Sequence, residues 1–255
     1  MLARFLEDGD VLFVGFGDTV PVAAGQLARR LHAPGLTMVL PCGAVNPEGK
    51  TLYPSPADFR YLHRCEARLD GEALNDLVVG GGADVAFLTG VEIDQYGNVN
   101  QVRAGAEWSG PAEGAADAML AERAKRSVLY LRQHSAARLV EQAAHISLVG
   151  HIDGRAGRAK RKIETLGPVA LISDLAVFDF DDENRLRLRS VHEGREIQDV
   201  ADRTGFMLQI SPNLKQTEPP TAEEIQVLRH NVDSTSLLRL TKEELTGQTP
   251  TGMRE

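Results

Sequence analysis

The sequence predicts an α/β fold: one domain with an open, largely parallel sheet and helices on both faces. Two observations carry that expectation. Short apolar runs alternate with helical patterns for most of the 255 residues, and such alternation builds parallel strands joined by crossover helices. The chain is 42% hydrophobic but only 5% aromatic, so its core must come from Val, Leu, Ile and Ala, the residues that fill strands covered on both faces.

The elements follow in order. ARFLEDGD reads as the last turn of a helix closed by Gly9, which leaves room for an earlier helical segment. DVLFVGF (10–16) reads as a buried strand, and PVAAGQLARRLH (21–32) as a helix with Pro21 at its first position. TMVLP (37–41) is the next strand, stopped by Pro41. ADVAFLTG (83–90) and SVLYLRQ (127–133) repeat the pattern around the helical stretch EGAADAMLAERAK. HISLVG (145–150) and VALISD (169–174) are further buried strands. Two hairpins interrupt the rhythm. VEIDQYGNVNQV turns on Gly97 and Asn98, which tolerate positive φ, and LAVFDFDDENRLRLRSV turns at the acidic DDEN. Thr221 and Glu224 form a capping box at the start of a C-terminal helix. No internal repeat or linker divides the chain, so the domain runs to about residue 240 and residues 241–255 form a polar tail.

Composition excludes several function classes. A net charge of −8 disfavours a general nucleic-acid binder. No stretch reaches the roughly 18 uncharged apolar residues that span a membrane, and Glu7, Asp8 and Asp10 interrupt any signal-like region. Two cysteines, Cys42 and Cys65, make neither a disulfide framework nor a zinc site by themselves and fit a reducing cytoplasm. The seven histidines show no metal spacing, and no GxSxG elbow occurs.

Three motifs admit a functional and a structural reading. VGFGDTVP follows a strand and precedes a helix, as a phosphate-cradling turn would, yet it lacks the full dinucleotide fingerprint. GGGAD (80–84) reads as an anion-binding nest or as a plain reversal into the next strand. RAGRAKRK (155–162) places five basic residues in eight positions and reads as a phosphate partner's site or a solvated loop. His134, just after a buried strand, is the best-placed histidine for a site, with a satisfied core histidine as its other reading.

LARRLHAPGLTMV, EIDQYGNVN, RQHSAARLVEQAAHISLVGHIDG, ISDLAVFDF and DVADRTGF stand in the order and spacing that resemble the β subunit of glutaconate-type CoA-transferases, members of family I. The resemblance runs from about residue 9 to about residue 233. It implies the CoA-transferase superfamily fold and a homologous α subunit as partner, in an αβ or α2β2 heteromer. It further implies an acyl-CoA substrate, with coenzyme A entering as part of the substrate and no separate cofactor.

In that family the strand after the first helix ends in a nucleophilic glutamate. Counted from HAP, Pro41 stands in its place here, with Cys42 and Gly43 following. Proline has no nucleophile. Three explanations follow: Pro41 and Cys42 are structural and the partner supplies the chemistry; Cys42 is itself the nucleophile; or the carboxylate is relocated to Glu48. The family also contains members without the glutamate, resembling a cofactor-free 3-methylglutaconyl-CoA decarboxylase or the ring-opening hydrolases of steroid catabolism. The family's Gly-Gly-Ala loop, which helps bind the thioester, corresponds to EGAAD, with Gly114 or Ala115 as a backbone oxyanion contact. A reading of another class is a catalytically silent subunit that stabilises an active α partner.

Overall fold

The computed structural model describes residues 1–104, 107–108 and 115–239. Ten strands form the main sheet: β1 (Val11–Val14), β2 (Thr37–Val39), β3 (Ala44–Val45), β4 (Ala67–Arg68), β5 (Val85–Leu88), and, interleaved with five short strands, β10 (Arg126–Tyr130), β12 (Pro168–Ile172), β13 (Ala176–Phe180), β14 (Leu186–Val191) and β15 (Gln209–Gln216). Those short strands are β6 (Glu92–Asp94), β7 (Val99–Asn100), β8 (Arg103–Ala104), β9 (Glu107–Trp108) and β11 (Leu139–Val140). β6, β7 and β11 make a small second sheet, and β8 and β9 pair with each other.

Across the main sheet the order is β15-β14-β13-β12-β10-β5-β1-β2-β3-β4. Its centre, β2-β1-β5-β10-β12, is parallel throughout, as the strand–helix alternation predicts. Antiparallel pairs flank it on both sides, and β15 returns parallel to β14.

Strict alternation explains why the central strands read as continuous apolar runs. Leu12, Val14, Met38, Leu40, Val85, Phe87, Val128 and Tyr130 face one core, while Phe13, Val39, Ala86, Leu88, Leu129 and Leu131 face the other. The first face is covered by α1 (Val20–Leu31), the 3-10 turn Leu2–Phe5 and the C-terminal helices, α6 (Ala222–Val227) running into a π-helical turn at Leu228–Val232. The second is covered by α2 (Gly71–Val79), α3 (Ala115–Arg123) and α5 (Ile197–Asp202). A short α4 (Gly157–Lys160) lies in the connection to β12.

Three local expectations change, and one helix is added. HISLVG is no strand: Leu148 is buried, but it makes only an isolated bridge to Val99. The hydrogen bonds of the β6–β7 hairpin capture that segment instead. The sequence reading left out α2, whose Leu74, Leu77 and Val78 face the second core; Asp70 starts it by accepting the Ala73 N–H at 2.9 Å. At the first hairpin only Gly97 adopts positive φ, 70°; Asn98 has a different task, described below. The basic run is not simply solvated, because Arg158 is buried and its guanidinium donates to the carbonyls of Gly150, Ala121 and Thr165. The polar tail beyond residue 240 lies outside the described residues.

Candidate active site

In open parallel sheets ligands bind outside the carboxyl ends of the strands, where neighbouring connections leave in opposite directions. Here that point lies between β1 and β5: α1 leads from β1 to β2 over one face, and α3 leads from β5 to β10 over the other.

After β1 the chain turns through Gly15 to Asp18 and enters α1 behind Thr19. Asp18 accepts the Val20 N–H at 2.8 Å and the Tyr130 hydroxyl at 3.2 Å, both on Oδ1, and Arg132 approaches Oδ2 at 3.8 Å. Burial raises its carboxyl above the ordinary range against the pull of those donors. The side chain remains 29% exposed, so it is reachable. Asp117, in the first turn of α3, packs its carboxyl against Gly15, where any Cβ would collide with it. Gln101 donates to it at 3.0 Å, and burial raises this carboxyl too. A buried acid, Asp117, and a half-buried one, Asp18, therefore meet the end of β1.

After β2 the chain makes a tight turn: Gly43 N–H donates to Leu40 O and Leu40 N–H donates to Ala44 O, each at 2.9 Å. Gly43 has φ 88°, and a side chain there would run into the Leu69 carbonyl oxygen. Pro41 and Cys42 are half-buried in this turn. Burial pushes the Cys42 thiol up, opposed by the N–H groups of Ala44 and Cys42 and helped by Cys65 and Asp58 nearby. Close by, the Tyr61 hydroxyl accepts the Tyr53 N–H at 3.0 Å and stands 3.4 Å from Thr19 Oγ1, tying the 53–61 segment to the start of α1.

Glu48 is not brought to this turn. β3 runs back alongside β2, so by Glu48 the chain has reached the amino end of the sheet, where Arg30 in the last turn of α1 donates to Gly49 O. The Glu48 side chain is exposed there. His134 sits near the carboxyl end of β10 but points inward: Nδ1 bonds Ser173 Oγ at 2.9 Å and Nε2 bonds Thr204 Oγ1 at 3.1 Å. Burial lowers its pKa to about 4. Both ring nitrogens are thus engaged by protein. Ala115 opens α3, and Gly114 lies outside the described residues. An apolar cavity of about 330 Å³ lies between α1 and the carboxyl ends of β10 and β12, lined by Val20, Ala23, Leu27, Tyr130, Arg132 and Ile172 among others.

Asp18 and Asp117 were not singled out by sequence. Their signal was an aspartate directly after a strand-end glycine turn and another opening a helix, a pattern that gains meaning only once the strand order joins them.

The fold and the placement of polar groups at its strand ends define an α/β ligand-binding enzyme of the open-sheet class. Residues 1–202 match the coenzyme A transferase model, and the chain belongs to that family. It is 29% identical over 232 residues to the B-type subunit of the 3-oxoadipate CoA-transferase of Pseudomonas knackmussii, covering 89% of this chain and 88% of that one. To the B-type subunit of the glutaconate CoA-transferase of Acidaminococcus fermentans it is 26% identical over 247 residues, covering 91% and 89%. Among solved structures it resembles the decarboxylase AibA/AibB, at 30% identity, a TM-score of 0.79 and 92% coverage of both chains. The same decarboxylase matches as variants in which one cysteine is asparagine, serine, alanine or valine.

Proposed function

We propose that this chain is the B-type subunit of a heteromer that acts on a carboxylated acyl-CoA without a covalent glutamyl intermediate, decarboxylating it rather than passing CoA to a second acid. One observation carries this reading. The turn at the end of β2 (Leu40, Pro41, Cys42, Gly43) holds no carboxylate, and Glu48 lies at the other end of the sheet. Transfer through a glutamyl thioester has no anchor on this turn.

Decarboxylation of a 2-enoyl-CoA with a distal carboxylate needs no nucleophile. The C–CO2 bond breaks, its electron pair delocalises through the conjugated system onto the thioester oxygen, and a proton then returns to carbon. A weakly polar turn of Pro41, a neutral Cys42 thiol and Gly43 favours loss of the charged carboxylate by desolvating it. Asp18, whose pKa burial raises, supplies the proton; Tyr130 and Arg132 orient it. Coenzyme A enters as substrate and no further cofactor takes part. The AibA/AibB likeness supports this reaction class over transfer.

The α partner follows from the relatives, which are subunits of transferases, and from exposed apolar side chains. Phe16 in the turn after β1 is 43% exposed and Phe59 is 74% exposed. A homologous α chain covering them would complete the site. The test is to incubate the heteromer with acyl-CoA, trap with hydroxylamine or borohydride, and map adducts by mass spectrometry. The proposal expects no glutamyl adduct on this chain; a CoA thioester on Glu48 or another glutamate here would overturn it.

A further inference from the structure

The fold brings together two motifs that the active site leaves unused. GGGAD and RAGRAKRK meet in a cleft of about 520 Å³ at the amino ends of β5 and β10, the opposite edge of the sheet from the crevice beyond β1. Its walls include Gly80 and Gly81 and four cations, Arg123, Lys125, Arg161 and Lys162, against the two carboxylates Glu122 and Glu164. The volume suits a small ligand.

The glycines do not form an anion nest. Gly80, Gly81 and Gly82 donate their N–H groups back to Asp76, Val78 and Leu77 in the last turn of α2. They keep the wall low, and recognition falls to the cations. Lys125 already pairs with Asp84, and Lys160, outside the cleft, pairs with Asp153. Among the described residues Arg123, Arg161 and Lys162 make no ion pair, although the chain carries a net charge of −8.

Two features fix the backbone that carries these cations. Buried Arg158 fastens the α4 segment to the Ala121 carbonyl of α3, and the Thr165 hydroxyl donates to the Glu122 carbonyl, so both walls are locked together. Lys162 ends α4 in a Schellman turn, donating to Ala159 O while Ile163 donates to Arg158 O. Its φ is 59°, a left-handed conformation in which glycine is the favoured residue.

We propose that this cleft binds a polyphosphate group, at a site separate from that for the acyl-CoA thioester. A phosphate chain presents several charges to several donors at once, which three cations without an ion pair on one cleft match better than they would a single carboxylate. It could come from a nucleotide or from an inorganic polyphosphate.

The test titrates the heteromer, saturated with CoA to block the catalytic site, with ATP and with inorganic tripolyphosphate at low ionic strength. Binding of both assigns recognition to the phosphate chain; binding of ATP alone adds a contact to the base, and either supports the site. The Arg161→Ala/Lys162→Gly variant should bind at least tenfold more weakly. Lys162→Gly alone should raise thermal stability while weakening binding, which separates lost charge from lost fold. Lys160→Ala should leave binding unchanged. No binding of either probe at millimolar concentration, unchanged affinity in the double variant, or stoichiometric displacement of the probe by CoA would overturn the proposal.

Discussion

Burial raises the Asp18 carboxyl above its ordinary range, the direction that favours a proton donor to carbon. Asp18→Asn retains an oxygen for the Val20 N–H and the Tyr130 hydroxyl but loses the acid. It should lower kcat by about 10²- to 10⁴-fold with little change in folding. Because the working form is protonated, wild-type activity should fall as pH rises through the raised Asp18 pKa; an unchanged pH–rate profile in the variant would remove Asp18 from the mechanism. Cys42 makes the opposite case. No cation lies beside its thiol and burial raises it, so Cys42→Ala should retain activity within about tenfold, roughly 1.4 kcal/mol of barrier. A steady-state assay of the heteromer checks this; a loss of several orders of magnitude would make the thiol a participant. His134 speaks to stability. Neutral in the fold, with a pKa of about 4, it protonates below 6.5 in the unfolded chain. Its contribution is therefore complete above about pH 6.5 and shrinks as pH falls toward 4, by about 2 kcal/mol at pH 5. Urea unfolding of wild type and His134→Gln at about pH 7.5 and 5 should show that difference in slope.

The β6–β7 hairpin shows what a recognisable motif does. Asn98 accepts the N–H groups of Gly150 and Ile152, each at 3.0 Å, and donates to Asp94 at 2.9 Å and to Ile152 O at 2.8 Å. The YGN pattern is thus a scaffold: one buried amide staples the hairpin to the 148–152 segment, and Gly150 packs where any side chain would strike the Gly97 backbone. Asn98→Ala orphans two buried N–H groups and should cost about 3 kcal/mol or more. Urea denaturation measures it, and a loss below about 1 kcal/mol would contradict the network. The same staple explains why HISLVG misled: apolar content predicted a strand, but long-range side-chain bonds decided the conformation. β1, β2, β5, β10 and β12 were legible as apolar runs, α1 from its apolar stripe, and α3 from its helix-forming composition, all local properties. α2 went unread although Leu74, Leu77 and Val78 lie on its core-facing side, because it is short and buries only Val78 fully. The two-residue strands β3 and β4 exist only through pairing with their neighbours.

At the scale of the whole molecule, the turn after β2 was legible and the convergence of the acids beside β1 was not. The end of β2 could be read from Pro41, Cys42 and Gly43, whereas Asp18 and Asp117 converge only through sheet order, and Glu48 is carried away by the reversal into β3. The exposed Phe16 and Phe59 are the apolar surface that the proposed partner would cover. Obligate interfaces bury on the order of 2,000 Å² or more, so co-expression with an α-type chain should give a stable heteromer by light scattering. Phe59→Asp should weaken that association; a monomer of this chain that turns over acyl-CoA unaided would contradict it. Decarboxylation without a covalent carboxylate is the central claim, and acetate tests it most directly. Given a 2-enoyl-CoA with a distal carboxylate, the heteromer should release carbon dioxide at a rate that added acetate does not change. Fast, acetate-dependent formation of acetyl-CoA with no carbon dioxide would contradict the account.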